Sequence, residues 1–333
     1  MSEVNQQILL AHRPVGAPKA SDFRLVESPL PEIGDGQFLV RSHYLSLDPY
    51  MRGRMSTAKS YARPVELGQV MVGGAVGQVV ASHHPQFTPG EAVVGSFGWQ
   101  LYAVSEGKGV RKIERRDIPL TAYLGVLGMP GVTAYVGMLD IGQPEPGQTV
   151  VVSAASGAVG GVAGQLAKLR DCRVVGIAGG PEKCRYTVEA LGLDACVDYK
   201  AGRLWQDLKQ ATPDGVDVYF DNVGGEILDA VLGRINPFAR IPLCGLISQY
   251  NATEPYGVKN FRKLLVNRAR LQGFIIGDHP ARWPAAQQDL ERWVSEGKIK
   301  YRETVAEGLQ NAPEAFIGLF SGRNFGKQLV KLV

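Results

Sequence analysis

From Gly147 onward the chain alternates short apolar runs with longer segments whose apolar residues recur at helical spacing. The runs at 149–154, 173–178, 194–198, 216–221, 239–244 and 271–276 predict strands. Segments between them, such as 162–169 and 182–191, predict helices. Strands joined by helical crossovers imply an α/β unit with a parallel, doubly wound sheet. A later helix is predicted over 283–296, and 327–333 predicts a closing strand that returns to the first part of the chain. That first part is β-rich: 38–44 and 74–80 alternate or run apolar, with turns such as Pro89-Gly90 between runs. The uncharged stretch 118–139 approaches membrane-spanning length, yet Gly125, Gly128, Pro130, Gly131 and Gly137 interrupt it. Two short buried helices with a break near Pro130 fit it better than one lipid-facing rod.

The most informative junction is "SAASGAVGG" at 153–161, between the first strand of the alternation and its first helix. A dinucleotide-binding turn uses one glycine for the tight turn, one for approach to the pyrophosphate and one for helix–strand packing. Gly157 and Gly160 occupy the second and third roles, and Ala155 stands where the first glycine is usual. Alanine tolerates a positive φ poorly, so the turn is expected to differ slightly. A Gly-rich packing turn without a cofactor is the plainer alternative. The next strand ends in Ala178-Gly179-Gly180, without the acidic residue that would bond a ribose 2′-hydroxyl. Pro181 opens a helix carrying Lys183 and Arg185, and Tyr199 follows the third strand. A helix N-terminus with a lysine suits a 2′-phosphate, so the pattern points to NADP(H). By themselves Lys183 also fits a solvated surface lysine, and Tyr199 a packing ring.

Composition narrows the class. The 333 residues carry 36 basic and 32 acidic side chains, and the densest basic group, Arg111-Lys112 with Arg115-Arg116, is interrupted by Glu114. Neither a nucleic-acid partner nor a membrane span is expected. The cysteines, at 172, 184, 196 and 244, form no CxxC pair. They read as isolated thiols of a reducing compartment, and with no basic, then apolar leader visible a cytoplasmic location is expected. Ligand spacing for zinc is missing from the first domain, where no cysteine precedes Cys172 and His12, His43, His83 and His84 show no pattern, so no bound metal is expected. GxSxG, HExxH and P-loop motifs are absent as well. A carbonyl would then be polarised by another donor, and two tyrosines are placed for it. Tyr250 ends "CGLISQY" after the fifth strand, and Tyr50 lies in "LDPYMRGRM". Each alone also fits a packing or surface tyrosine.

"LSLDPYMRGRM", "GMPGVTAYVGML", "AASGAVGGVAGQLAK", "VDVYFDNVGGEILD", "CGLISQYN", "WVSEGKIKY" and "GRNFGKQLVK" together resemble the zinc-free medium-chain dehydrogenases/reductases. The nearest branch is the prostaglandin reductase (leukotriene B4 12-hydroxydehydrogenase), 2-alkenal and curcumin reductase group. The resemblance runs from about residue 40 to the end. It implies a GroES-like β-barrel catalytic domain over 1–125 and 300–333 and a Rossmann domain over 126–299, with NADP(H) across the cleft between them. It also implies that Gly157, Ala158, Val159 and Gly160 bind the pyrophosphate and that Lys183 and Tyr199 hold the 2′-phosphate. Asn222 would lie along the cofactor. The loop of Cys244, Gly245, Leu246, Ile247, Ser248, Gln249 and Tyr250 would run beside the nicotinamide. Phe274, Ile275, Ile276 and Asn324 would complete the cradle. Without the resemblance, Asn222, Phe274 and Asn324 read as a turn residue, core and a loop cap. A homodimer is implied, its Rossmann sheets meeting by their edge strands.

The activity implied is NADPH-dependent reduction of the C=C bond of α,β-unsaturated aldehydes or ketones. Hydride goes to the β-carbon, and Tyr250, Tyr50 or a cofactor ribose hydroxyl answers the charge on oxygen. Quinone reduction is the main rival, and a non-catalytic NADPH-binding protein is a weaker one. Loops at 50–65, 251–259 and 274–283 would shape the substrate mouth.

Overall fold

The computed structural model describes residues 4–115 and 117–333; residues 1–3 and Arg116 lie outside the described residues. The chain divides into two compact units, Met1–Leu124 with Glu303–Val333, and Gly125–Arg302.

In the second unit six parallel strands form one sheet. They are β1 (Thr149–Ser153), β2 (Arg173–Ala178), β3 (Ala195–Asp198), β4 (Val216–Phe220), β5 (Ile235–Leu243) and β6 (Arg270–Gly273). Their spatial order is β3-β2-β1-β4-β5-β6, the Rossmann order. Every residue of β1 is buried, which explains its run of valines: a central strand covered on both faces needs apolar side chains on both. Helices α1 (Gly160–Lys168), α2 (Pro181–Glu189), α3 (Leu204–Ala211) and α4 (Gly225–Leu232) follow the first four strands in turn. Leu204 and Leu208 of α3, four residues apart on one helical face, are its buried side chains. They join Val151, Val175, Tyr219 and Val231 in one apolar cluster.

Because the strands are parallel and joined by helices, all their carboxyl ends lie on one edge of the sheet. The order of connection reverses between β1 and β4, so the switch point of the sheet falls between Ser153 and Asp221. Two strand expectations need correcting. β5 begins at Ile235, earlier than expected, with Phe238 at φ 64 inside it. β6 stops at Gly273, so Phe274, Ile275 and Ile276 belong to the loop and turn that follow rather than to the strand.

The first unit is the GroES-like one. Its seven-stranded sheet runs Glu303–Glu307, Lys327–Lys331, Phe38–Leu47, Ala75–Ser82, Ala92–Gly95, Arg111–Lys112, with Tyr102–Ser105 also paired to Phe38–Leu47. The closing strand thus pairs with Phe38–Leu47 in the same unit despite their distance in sequence. A hairpin-like pair, Val4–Leu10 with Phe23–Pro29, lies beside it in a separate two-stranded sheet. Trp99, stacked on Phe23 at 5.5 Å and edge-on to Phe316, lies at the centre of the apolar core. The stretch 118–139 contains the short turn Leu120–Leu124 and the helix Met129–Tyr135 with Pro130 in its first turn, and a wider helical turn, Val136–Gly142, follows directly. No helix among the described residues is long and apolar enough to cross a membrane.

Candidate active site

The site grows from one buried carboxyl group. Asp221 follows β4 at the switch point and is fully buried. Its Oδ1 accepts from the hydroxyls of Tyr219 (2.7 Å) and Ser153 (3.1 Å) and from the backbone N–H groups of Val223 and Gly224 (both 2.9 Å). Its Oδ2 is buried without a hydrogen-bond partner. Burial outweighs the four donors and holds the carboxyl above its ordinary value. Asn222 completes the tie: its N–H donates to Ser153 Oγ (2.9 Å) and its Nδ2 to the Ser153 carbonyl (2.8 Å). The ends of β1 and β4 are thereby held together where the glycine turn begins.

That turn has one unusual feature. The residue with positive φ is Ala154 (φ 49), not Ala155, and Ala155 is buried. The Ala154 carbonyl accepts from Gly157 N–H at 2.9 Å. A Cβ on Gly160 would stand 2.3 Å from the same oxygen, so only glycine lets α1 start so close to the strand end. Val159, at the N-cap of α1, makes no side-chain cap hydrogen bond. With Gly157, Ala158 and Val159 only half-buried, the helix end offers backbone N–H groups to an anion.

At the end of β2 the anion pocket expected from Lys183 and Tyr199 gains a further lysine. A Cβ on Gly179 would meet Tyr199 Cε1 at 2.9 Å and Lys200 Cε at 3.0 Å, so both side chains lie over the strand end. Lys183, half-buried in the first turn of α2, is held below its ordinary value by burial and then by the Lys200 charge. Two ammonium groups that repel each other are relieved by an anion between them. Asp198 is the nearby carboxylate that sequence reading passed over. It comes from β3 and accepts from the N–H groups of Gly180 (2.8 Å) and Lys200 (2.9 Å), so it braces the two loops. Neither Lys200 nor Asp198 sits in a recognised motif; charged residues at and just past the end of a parallel strand were the available signal.

The loop after β5 lies along the turn after β4. Gly245, Ile247 and Ser248 donate from their backbones to the carbonyls of Asp221, Asn222 and Val223, at 3.2, 3.3 and 3.2 Å. The paired glycines of "DNVGG" make room for it: a Cβ on Gly224 would lie 2.5 Å from Leu246 Cδ2, and one on Gly225 2.7 Å from Ser248 Oγ. Gln249 stays half-buried in the same loop. Burial, then Asp221, pushes the Cys244 thiol up to about 12, so it is a neutral lining group. The Tyr250 hydroxyl turns back on its loop and accepts from Leu246 N–H at 3.3 Å. After β6, the Phe274 ring packs edge-on to Phe220 at 6.4 Å, while Ile275 and Ile276 are half-buried beside it. The structure therefore brings Gly157, Ala158, Val159, Gly160, Lys183, Tyr199, Asn222, the 244–250 loop and 274–276 to one edge of one sheet.

Tyr50 and Asn324 belong to the other unit. Tyr50 caps the short helix Met51–Arg54, and burial and then Asp48 raise its hydroxyl far above the usual phenol range. It is a donor at any working pH. Its loop is held by a buried ion pair, Lys327 Nζ to Asp48 Oδ1 at 2.7 Å, with a second bond from Lys327 to the Leu47 carbonyl. Asn324 Nδ2 donates to the Gly326 carbonyl at 2.8 Å, a bond inside its own turn.

The comparisons with known proteins agree with this architecture. A family described as "N-terminal domain of oxidoreductase" matches residues 6–113, and one described as "Zinc-binding dehydrogenase" matches residues 158–292. The latter description names a metal, but among the described residues no three His, Cys, Asp or Glu side chains are grouped to hold one. The NADPH-dependent curcumin reductase of Escherichia coli (strain K12) is 51% identical, over 98% of this chain and 97% of that protein. The 2-alkenal reductase (NADP(+)-dependent) of Nicotiana tabacum is 42% identical, over 98% of this chain and 97% of that one. The crystal structure of CurA in complex with NADPH from Vibrio vulnificus superposes with a TM-score of 0.95 at 52% identity, over 98% and 99% of the two chains.

The charge on Asp221 can be tested by pH. The carboxyl's ordinary value is 3.8 and the fold raises it, so the unfolded chain ionises first as pH rises. Stability from this group is full below that value and is lost as pH climbs through the raised one. Urea melts of wild type and Asp221→Asn should show wild type losing ground to the variant as pH rises above about 4. A stability difference that does not change with pH would contradict the assignment.

Proposed function

Because this chain belongs to the medium-chain dehydrogenase/reductase family, in its branch of curcumin and 2-alkenal reductases, we propose that it reduces the C=C bond of α,β-unsaturated aldehydes and ketones. It is an NADPH-dependent oxidoreductase. A 2-alkenal is an α,β-unsaturated aldehyde, and that relative's likeness over nearly the whole chain is the observation that carries the substrate class.

The residues fit the cofactor. The uncapped start of α1 and the bare Gly157–Gly160 approach suit a pyrophosphate, and Lys183, Lys200 and Tyr199 around Gly179 suit a 2′-phosphate. When bound, NADPH supplies the hydride that the β-carbon of the acceptor receives. The chain's own task is to orient the acceptor and answer the negative charge that grows on its carbonyl oxygen. Tyr250 is the donor we assign to that oxygen. By accepting from Leu246 N–H its hydroxyl is oriented, and a hydroxyl that accepts a bond donates its own proton more strongly. The Tyr250 phenol is also a source for the proton that reaches the α-carbon, and Tyr50, kept protonated by burial, is a phenol donor of the first unit. Cys172, Cys184, Cys196 and Cys244 are all free thiols, the state that a reducing compartment such as the cytoplasm maintains.

The second unit also bears an apolar surface suited to another copy of the chain. β6 ends the sheet with an open edge, and Phe238 (65% exposed), Phe261 and Leu265 (79% exposed) are large apolar side chains left uncovered. Arg268 lies over the Phe238 ring at 4.6 Å and holds it outward. A homodimer that joins these edges would cover them.

Three outcomes are expected. Lys183→Ala should raise KM for NADPH by about tenfold or more while shifting KM for NADH by less than about threefold, and equal losses would remove the phosphate role. Steady-state assays with an enal, a dienone and a quinone should show turnover of the first two and a loss of about tenfold or more in Tyr250→Phe. Preference for the quinone, or an unchanged Tyr250→Phe, would count against the reading. Sedimentation velocity should give a dimer for wild type and a monomer for the double variant Phe238→Asp, Leu265→Asp; a monomeric wild type would reject the surface.

A further inference from the structure

Two thiols that the reaction does not use lie against each other beside the anion pocket. Cys184 is in the first half of α2, directly after Lys183, and Cys196 is in β3, the strand at the other edge of the sheet. Cys196 Sγ donates to Cys184 Sγ across 2.8 Å, and both side chains are partly exposed. The remaining pair is unlike them. Cys172 is buried and its thiol is pushed up to about 11 by burial, while Cys244 sits higher still beside Asp221.

We propose that Cys184 and Cys196 form a reversible dithiol–disulfide site that reacts with hydroperoxides and, when closed, weakens the grip on the 2′-phosphate end of NADPH. The second half rests on the cofactor reading given above; the first does not. The roles of the two sulfurs differ. The S–H of Cys196 stabilises the Cys184 thiolate and holds that thiol below its usual value, whereas Cys196 is held far above it. Cys184 is therefore the attacking sulfur and Cys196 the resolving one.

In the first step the Cys184 thiolate forms an S–O bond to the terminal peroxide oxygen as the O–O bond breaks. The leaving oxygen takes a proton, and Cys184 becomes a sulfenic acid. In the second step Cys196 sulfur attacks Cys184 Sγ, the S–S bond forms, and the S–O bond breaks. The departing hydroxide leaves as water with the Cys196 proton. Two thiols and one hydroperoxide give one disulfide, one alcohol and one water, with two electrons passing from sulfur to oxygen; hydrogen peroxide gives two waters.

A disulfide places its sulfurs about 2.05 Å apart, so closing it draws α2 and β3 together. Both walls of the anion pocket sit on those elements. Lys183 precedes Cys184, and Asp198, Tyr199 and Lys200 follow closely after Cys196. Asp198 also bridges the Gly180 and Lys200 backbones, so a shift between α2 and β3 is passed to every group that faces the phosphate.

The test treats the full chain with hydrogen peroxide, reads the cross-link by mass spectrometry of the unreduced digest, and measures NADPH and NADH binding before and after. The expected result is a 184–196 cross-link, a Kd for NADPH raised by about threefold or more, a Kd for NADH changed by less than about twofold, and recovery with dithiothreitol. Cys184→Ser and Cys196→Ser should bind NADPH as wild type does and ignore peroxide. Sulfinic acid at Cys184 without a cross-link would overturn the site, as would serine variants that lose NADPH affinity on oxidation like wild type. A cross-link that leaves NADPH affinity unchanged would overturn its effect on the cofactor. Should the reduced chain bind NADPH no better than NADH, the cofactor reading fails and the affinity effect with it, while the cross-link is still decided by the digest.

Discussion

Everything at the candidate active site depends on how the Asp221 carboxyl is satisfied. A parallel sheet leaves the backbone ends of β1 and β4 splayed at the switch point, and a ligand can bind there only if both ends are fixed. One carboxyl oxygen collects two hydroxyls and two backbone amides, and so fixes Ser153 on one strand and the Val223–Gly224 turn on the other. The loop carrying Tyr250 then hangs on the carbonyls of Asp221, Asn222 and Val223. Burying this group is costly, as its raised pKa attests, and the cost is offset by a rigid origin for three loops at once.

From that origin the site divides by chemistry along the strand order. The centre of the sheet, at Gly157 to Gly160, presents backbone amides and almost no side chain, because a Cβ at Gly160 would strike the Ala154 carbonyl. Toward β3 the groups become cationic, with Lys183 held below its ordinary value by burial and then by the Lys200 charge. Toward β6 they become apolar and phenolic, with Phe274 and Tyr250. A molecule with a charged end, a pyrophosphate middle and a flat apolar ring matches that gradient.

Much of this was legible from residue order alone, for identifiable reasons. Buried parallel strands must be apolar on both faces, so β1, β2 and β4 stand out as valine-rich runs. The doubly wound order follows from their alternation with helices. Less legible was anything decided by neighbours distant in sequence. The positive φ falls on Ala154 while Ala155 is buried, a division of roles that spacing does not reveal. Lys200 and Asp198 look like ordinary charges at a strand end until the fold sets them against Gly179 and Gly180. β6 ends at Gly273 and Phe274 packs edge-on to Phe220 from the loop beyond, and an apolar run reads the same whether it continues a strand or leaves it. Resemblance supplied Asn222 and the 274–276 segment, where spacing alone left a turn residue and core.

In the proposed conjugate reduction the cofactor's hydride reaches the β-carbon and a solvent-exchangeable proton reaches the α-carbon. Nicotinamide-deuterated NADPH and an unlabelled enone, run in ordinary water and followed by NMR of the product, test it most directly. Conjugate reduction predicts deuterium on the β-carbon alone, with an intact carbonyl. Deuterium on the carbonyl carbon, giving an unsaturated alcohol, would contradict it.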